Sequence, residues 1–325
     1  MSMPAPQGDG CPINKEYVGV PPPPNVHLPT SSELLDLCPP NTPRGHTTLP
    51  SDSPIFWVKY GYAVYWNEVV AQSRAYHELR ALGSSVRAPA VFYAFQDKSA
   101  TYIVMEYIPG RTARKCIEEA KTEAEKEHVM DQVGLSLSEL HRIPIASGSR
   151  PAAIDGGLIQ HELFDEQEAP RHYENVEQLE IHFNEFLKHA RTTERIANLS
   201  LEPMVFCQSD YWPDNFMIDD AGSPVVIDFS DVSILPSSFA SCAAKWNGIG
   251  FQNLGFDIFE RVWFPTTDGV DNTQALLVAR GRMPLRWAVF VQLGKMLPGG
   301  DTETQLRLES SAEGLFNTCS TVGEK

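Results

Sequence analysis

Asp210, Asn215 and Asp228 place two carboxylates and a carboxamide within one short stretch, Val205 to Asp228, which reads VFCQSDYWPDNFMIDDAGSPVVID. A carboxylate can take or orient a proton. A carboxylate with an amide can also hold a divalent cation whose other ligands are phosphate oxygens. Which chemistry is open depends on how the chain folds around these residues. Val205 and Phe206 read as the end of a buried strand, and Asp210 and Asn215 then fall in a loop with Trp212 and Pro213. Phe216-Met217-Ile218 is a second apolar run, Ala221-Gly222-Ser223 a turn, and Val225-Val226-Ile227 a third, β-branched run. Two strands joined by a tight turn bring Asn215 and Asp228 to the same end of a hairpin.

An Asp followed by four residues and an Asn, then a hairpin and a second Asp with Phe, is the pattern of kinase catalytic and metal-binding loops. Asp210, Asn215 and Asp228-Phe229 match it in type, spacing and order. The stretch resembles the aminoglycoside phosphotransferase and choline kinase-like family, small-molecule relatives of the protein kinases, including fungal proteins with that domain. One position departs: two residues before the first Asp the family usually has His, and this chain has Gln208. Ser230 stands where protein kinases have Gly.

The same resemblance gives meaning to the elements upstream. Ile55 to Tyr60 is a strand carrying Lys59, followed by a helix over roughly Asn67 to Leu82 with Glu68 in its first turn. A lone Lys in a strand usually faces solvent. Strand-Lys followed by helix-Glu, however, is the kinase order, in which the ion pair sets the Lys on the nucleotide phosphates. Glu68 is the favoured partner and Glu78, further along the helix, the rival. Two more strands follow, Pro89 to Ala94 and Thr101 to Ile108, and the second ends in YIVMEYIPG. That run is similar to the hinge of the family, where backbone groups near Glu106 and Ile108 would pair with adenine. No G-x-G-x-x-G precedes Lys59, and Gly45 or the Ser51-Asp52-Ser53 turn are the only candidates for a phosphate-covering loop.

Composition narrows the field. At 325 residues and 42% hydrophobic the chain can bury a sizeable core. No apolar run approaches the ~20 residues of a membrane span, and the first residues lack the apolar segment of a secretory signal. Six scattered Cys with no Cys-x-x-Cys pair suggest reduced thiols and a cytoplasmic protein. A formal charge of -16 argues against nucleic acid and permits a cationic small molecule, although soluble acidic proteins often look the same. Zinc-protease, nucleophile-elbow and P-loop spacings are all absent.

Residues 1–54 hold 13 of the 25 prolines, so 1–45 reads as a flexible arm, with one short helix from Ser31 capped by Ser. Beyond Gly110 the pattern turns helical: Glu118 to His141, Val176 to Leu187, Trp287 to Leu293 and Thr302 to Leu315. His141 at a helix end would cap carbonyls and favour the helix dipole.

The expected fold is α+β and bilobal, protein-kinase-like: a nucleotide-binding N-lobe over 46–107 with a small antiparallel sheet, and a larger helical C-lobe over 108–325. The resemblance implies ATP and Mg²⁺ as cofactors and phosphoryl transfer to a hydroxyl or amine of a small molecule, with no nucleic acid or membrane partner and the oligomeric state open. In that reading Asp210 is the base, Asn215 and Asp228 hold the metal, and Lys59, fixed by Glu68, holds the phosphates. The rival, motivated by Gln208, is an impaired pseudokinase that binds nucleotide or acts as a scaffold.

Overall fold

Short apolar runs separated by prolines and turns become strands in the first third of the chain. In the computed structural model, which describes residues 14–247 and 249–298, they are β1 (Lys15–Val18), β2 (Gly45–Leu49), β3 (Phe56–Gly61), β4 (Val91–Asp97) and β5 (Ala100–Glu106). They form one antiparallel sheet in the order β1-β4-β5-β3-β2. Helix α1 (Ser31–Leu37) precedes β2, and α2 (Trp66–Ala81) joins β3 to β4. Phe56, Phe95 and Tyr102 fill one face of the sheet, where α1 adds Leu34.

The sequence expectation of a flexible arm over 1–45 needs correction for its described part. Residues 15–20 and 30–38 are free of proline, and these stretches form structure. β1 pairs along the edge of β4, with Lys15 opposite Gln96 and Val18 opposite Tyr93. α1 is capped by Thr30 rather than by Ser31: the Thr30 hydroxyl accepts from Glu33 N–H and the Glu33 carboxylate accepts from Thr30 N–H, a reciprocal cap. The prolines occupy the connections, where no ladder N–H is needed. The small lobe thus includes residues upstream of 46.

After β5 the chain builds β6 (Gly110–Thr112), α3 (Ala113–Glu119), α4 (Glu123–His141), β7 (Ala152–Ala153) and α5 (Val176–His189). Next come β8 (Met204–Gln208), β9 (Phe216–Asp219), β10 (Pro224–Val226), β11 (Val232–Pro236), α6 (Ser237–Asn247), α7 (Ile249–Gln252), α8 (Thr273–Arg282) and α9 (Trp287–Met296). The helix expected from Glu118 begins instead at Glu123, because Thr122 and Glu125 form a second reciprocal cap and break α3 from α4. The helix expected over Thr302 to Leu315 lies outside the described residues.

Two small sheets, β10-β9-β6 and β7-β11-β8, sit among these helices. Phe206, Tyr211, Phe216 and Phe229 are fully buried in a core shared with α4, so the strands around Asp210 and Asp228 are seated on packed aromatic rings. A second core holds Phe164, Phe183, Phe186, Phe239 and Phe290. The fold is therefore α+β and bilobal, a protein-kinase-like arrangement of a small antiparallel-sheet lobe on a larger, mainly helical one.

One buried side chain stitches the lobes. Asn67, in the first turn of α2, donates to the carbonyls of Ser230 (3.3 Å) and Val232 (2.9 Å) and accepts from the Ile154 (2.7 Å) and Asp155 (3.3 Å) N–H groups. A buried amide satisfied on both ends is costly to displace. It fixes the register between α2 and the strand that follows Asp228.

Candidate active site

β8 delivers the chain to the cleft and ends at Gln208, which pairs with Val232 of β11. The loop that follows is pinned rather than loose. Asp214 accepts from Thr112 Oγ1 (2.9 Å) and Arg114 Nε (2.6 Å), and the Arg114 guanidinium lies 4.9 Å from the Trp212 ring. A short 3-10 turn over Pro213–Asn215 then returns the chain into β9. β9 and β10 form the hairpin read from the sequence, with Phe216 opposite Val226, and Ile227 N–H donates to the Asn215 carbonyl at 2.9 Å. Asn215 and Asp228 therefore lie at one end of that hairpin.

Asp210 and Asn215 meet directly, since Asn215 Nδ2 donates to Asp210 Oδ2 at 2.8 Å and to its carbonyl at 3.2 Å. Burial pushes the Asp210 carboxyl up to about 6; the Asn215 bond opposes this and the charges of Asp231 and Asp228 reinforce it. A carboxylate poised near neutrality suits a proton acceptor.

Asp228 has φ +58°, a left-handed backbone that Asp tolerates better than most residues. Gln208, fully buried, holds that conformation: its Nε2 donates to the Asp228 carbonyl at 2.7 Å, while its Oε1 accepts from Ser209 N–H at 3.0 Å. The turned backbone aims the Asp228 carboxylate at the small lobe, where Oδ1 accepts from Lys59 Nζ at 3.1 Å.

Lys59 also donates to Glu68 Oε1 at 2.6 Å, so of the two glutamates weighed in α2 it is Glu68 that faces the Lys. Burial opposes the Lys59 charge, yet Glu68 and Asp228 together outweigh it and hold the ammonium above its ordinary range. The same burial lifts the Glu68 carboxyl to about 7 against the pull of Lys59. For Asp228 burial again pushes up, but Lys59, Arg44 and the Ser230 N–H win and keep it below the usual carboxylate range. At neutral pH Lys59 is charged and Asp228 ionised.

At the hinge, Glu106 N–H donates to the Ala90 carbonyl at 2.8 Å, and the Glu106 carboxylate accepts from Ala90 N–H and from Arg87, which also reaches Asp219 across the lobes. The Glu106 amide and carboxylate are thus spent on structure. The Ile108 N–H has no hydrogen-bond partner among the described residues, which leaves it open to a ligand.

Several groups carry weight that sequence reading did not assign. Glu162, from the loop after β7, is pushed up to about 7 by burial and by the charges of Asp231 and Asp210. Asp231 is also raised, by burial first and then by Asp228 against the Ser230 hydroxyl bond. Neither had a spacing signal. Asn67 did have one, an amide on the apolar side of a helix directly before Glu68.

His141, noted in the sequence, is structural, and so is the buried His161. His141 does end α4, but it is buried, donates from Nδ1 to the Trp263 carbonyl (2.9 Å) and has its pKa lowered by burial to about 4. It is neutral at pH 7 and brings no charge to the helix dipole. His161 is likewise lowered by burial, to about 3.

Hard oxygen donors are available for a divalent ion at Asp228 and Asn215. Among the described residues no group of three or more His, Cys, Asp or Glu side chains could hold a metal by itself. That set fits Mg²⁺, which takes one or two protein oxygens and completes its shell with phosphate and water.

The chain resembles, at 11% identity and a TM-score of 0.44, a thermostable mutant of aminoglycoside phosphotransferase APH(4)-Ia in its apo form, covering 86% of this chain and 95% of that one. The streptomycin–ATP–APH(2″)-IIa ternary complex matches at 16% identity and a TM-score of 0.40, over 89% and 97% of the two chains. A choline/ethanolamine kinase family protein from Mesorhizobium loti matches at 17% identity and 0.36, over 83% of each. No curated protein matches the sequence. The family model described as phosphotransferase enzyme family matches residues 67–238, from the Asn67 that ties the lobes to the start of α6. That is more than half of the chain, and the protein belongs to the phosphotransferase enzyme family.

Proposed function

We propose that the protein catalyses ATP-dependent phosphoryl transfer to a hydroxyl or amine of a small molecule. The observation that carries this reading is the convergence at one end of the hairpin of two contact groups, Lys59 with Glu68 and Asp228, and Asn215 with Asp210, joined through the backbone by the Ile227 N–H bond to the Asn215 carbonyl. Phosphoryl transfer needs little covalent help from the protein; it needs positioning and charge in the right places.

In this reading Lys59, held by Glu68, neutralises nucleotide phosphate oxygens. Asp228 and Asn215 would hold Mg²⁺, which offsets charge between the phosphates when bound. Asp210 accepts or orients the proton of the attacking group, and its elevated pKa lets it hold that proton near neutral pH. The Ile108 N–H faces the adenine edge.

The acceptor side of the cleft gathers Asp210, Asp231 and Glu162: beside burial, the charges of Asp231 and Asp210 raise the Glu162 carboxyl, and that of Asp231 raises Asp210. Such mutual repulsion is relieved by a ligand bringing positive charge, so the acceptor is expected to be an alcohol or amine carrying a cationic group. The formal charge of -16 favours the approach of such a molecule. The cysteines Cys38, Cys116, Cys207 and Cys242 are free and buried, which fits a reducing cytoplasmic setting. No described helix is long and apolar enough to cross a membrane.

The pseudokinase alternative rested on Gln208. The amide makes both contacts that a brace of this loop requires, which supports the catalytic reading over the scaffold reading. Calorimetric titration with ATP, with Mg²⁺ and then with EDTA, tests the first half of the proposal. Tight binding should require the metal and be weakened most by Asp228→Ala. A screen of cationic and neutral alcohols for ADP release tests the second half. ATP bound but never turned over on any acceptor, with wild type and Asp210→Asn showing equal background hydrolysis, overturns it.

A further inference from the structure

Kinases of the protein-kinase fold cover the nucleotide phosphates with a glycine-rich loop, and this chain has none. Of the two substitutes considered from the sequence, the Ser51-Asp52-Ser53 turn is excluded by its position. It joins β2 to β3 at the end where Leu49 faces Phe56 and Phe56 faces Glu106, which is the hinge end of the sheet. Lys59 lies further along β3, and Gly61 ends the strand away from the hinge, about 17 Å from Phe56 at ordinary strand rise. A nucleotide with its base at the hinge and phosphates at Lys59 runs toward Gly61.

That far end is covered by the segment entering β2. Tyr62 N–H donates to the Thr42 carbonyl (3.1 Å) and Ala63 N–H to the Pro43 carbonyl (2.9 Å), continuing the β2–β3 ladder past its last paired residues. Gly61 permits the approach: a Cβ there would lie 2.4 Å from the Pro43 carbonyl oxygen and 2.6 Å from that of Thr42, and its φ of +137° is one side chains rarely adopt. The next residue is Arg44. Its Nε donates to the Ala63 carbonyl at 3.0 Å, which orients the guanidinium. Its two terminal nitrogens make no hydrogen bond or ion pair among the described residues, and the side chain is exposed.

Arg44 is nonetheless in electrostatic reach of the cleft, where its charge lowers the carboxyls of Asp228, Glu68, Asp210 and Asp231. These four carboxylates face only Lys59 and Arg44 as cations in those same interactions. An incoming triphosphate adds further negative charge to this imbalance. A guanidinium with two unspent donors is suited to bridging phosphate oxygens.

We propose that Arg44, presented by the strap that Gly61 lets onto β3, binds the terminal phosphates of the nucleotide and takes the place of a glycine-rich loop. This rests on the phosphotransferase reading of the site. The strap supplies a fixed positive charge where kinase loops supply backbone N–H groups.

Arg44→Gln tests it, because Gln retains a donor for the Ala63 carbonyl and removes only the charge and the fork. Affinities for ATP, ADP, AMP and adenosine, each with Mg²⁺, are measured by calorimetry for wild type and variant, with thermal unfolding recorded in parallel. The expected result is a loss on the order of 10- to 100-fold for ATP, a smaller one for ADP, and adenosine and AMP unchanged. Arg44→Lys should recover part of the ATP affinity. Equal losses for ATP and adenosine would make Arg44 a structural residue of the strap and overturn the proposal, as would an unchanged ATP affinity. A wild type that binds none of these nucleotides removes the phosphotransferase reading itself, a result distinct from a failure of Arg44 alone.

Discussion

Asp210→Asn separates a catalytic carboxylate from a structural one, because the two roles move stability in opposite directions. Asp210 is partly buried, and burial lifts its carboxyl from 3.8 to about 6 against the favourable Asn215 bond. An unfolded chain releases this proton near pH 4, whereas the folded protein keeps it to about pH 6. Between those values the unfolded state binds fewer protons, so the group destabilises the fold increasingly as pH rises, with the full penalty above about pH 6. A shift of this size corresponds to roughly 3 kcal/mol at 1.36 kcal/mol per unit. Solvent reaching the cleft reduces it, to about 1–2 kcal/mol.

Asparagine keeps the shape, and its carbonyl can still accept from Asn215 Nδ2, but it carries no charge to bury. Asp210→Asn should therefore be more stable than wild type by about 1–2 kcal/mol at pH 8, a rise of a few degrees in Tm. The gap should shrink toward pH 4, where the folded carboxyl is protonated and the unfolded one is half so, and close below it. The same substitution should lower turnover by ~10²-fold or more while leaving ATP affinity nearly intact. Thermal unfolding of both proteins at pH 4, 6 and 8, beside nucleotide titration, decides it. A variant that is less stable than wild type at pH 8, or a stability gap indifferent to pH, would mean that Asp210 is a satisfied structural carboxylate and that its strained placement for proton transfer is wrong.

Other outcomes follow from the same geometry. With a cationic acceptor, kcat/KM should rise with pH through about 6 as Asp210 loses its proton, and an ascending limb near pH 4 would count against the raised pKa. Lys59→Ala and Glu68→Ala should be non-additive for ATP affinity, with a coupling of about 1 kcal/mol or more in a double-mutant cycle, whereas Glu78→Ala should show no coupling to Lys59. Asp214→Ala releases the catalytic loop from Thr112 and Arg114, so kcat should fall by roughly tenfold or more with ATP affinity held; unchanged kcat would make the clamp dispensable. Asn67→Leu should cost about 3 kcal/mol or more of stability, read by denaturant unfolding, because four backbone groups lose their partner.

The parts of the site that were legible in the sequence are those whose spacing is enforced locally. Asp210, Asn215 and Asp228 are tied by a hairpin with a glycine turn, and Lys59 and Glu68 by one strand entering one helix, so a short sequence interval dictates a spatial one. The small lobe's beginning was less legible because proline density was read as disorder across 1–45, while the elements there depend on short proline-free runs. β1 is stabilised by pairing with β4, about eighty residues away, and nothing within Lys15–Val18 announces that partner. Arg44 was missed for a similar reason. It looks like an ordinary surface arginine until Gly61 and the Thr42 and Pro43 carbonyls place it over the end of β3. Glu162 and Asp231 acquire their perturbed protonation from burial first, and then from carboxylates the fold brings close, Asp231 and Asp210 for Glu162 and Asp228 for Asp231.

Gln208 illustrates how a departure from a family pattern can preserve the physical requirement behind it. The catalytic loop needs a group between β8 and the turn at Asp228 that donates to one carbonyl and engages one N–H. Imidazole can do this only in the correct tautomer, because a neutral ring has one donor and one acceptor. A carboxamide has both in fixed positions and does not titrate near neutrality, and Gln208 uses them on the Asp228 carbonyl and Ser209 N–H. The bond to Asp228 matters more than an ordinary one, since it secures a residue at φ +58° whose carboxylate faces Lys59. Left without that partner, the Asp228 carbonyl would be released and the left-handed turn would relax, moving the carboxylate away from the ammonium. The loop therefore keeps its shape independently of pH, and the pH response of the site passes to the carboxyls around Asp210.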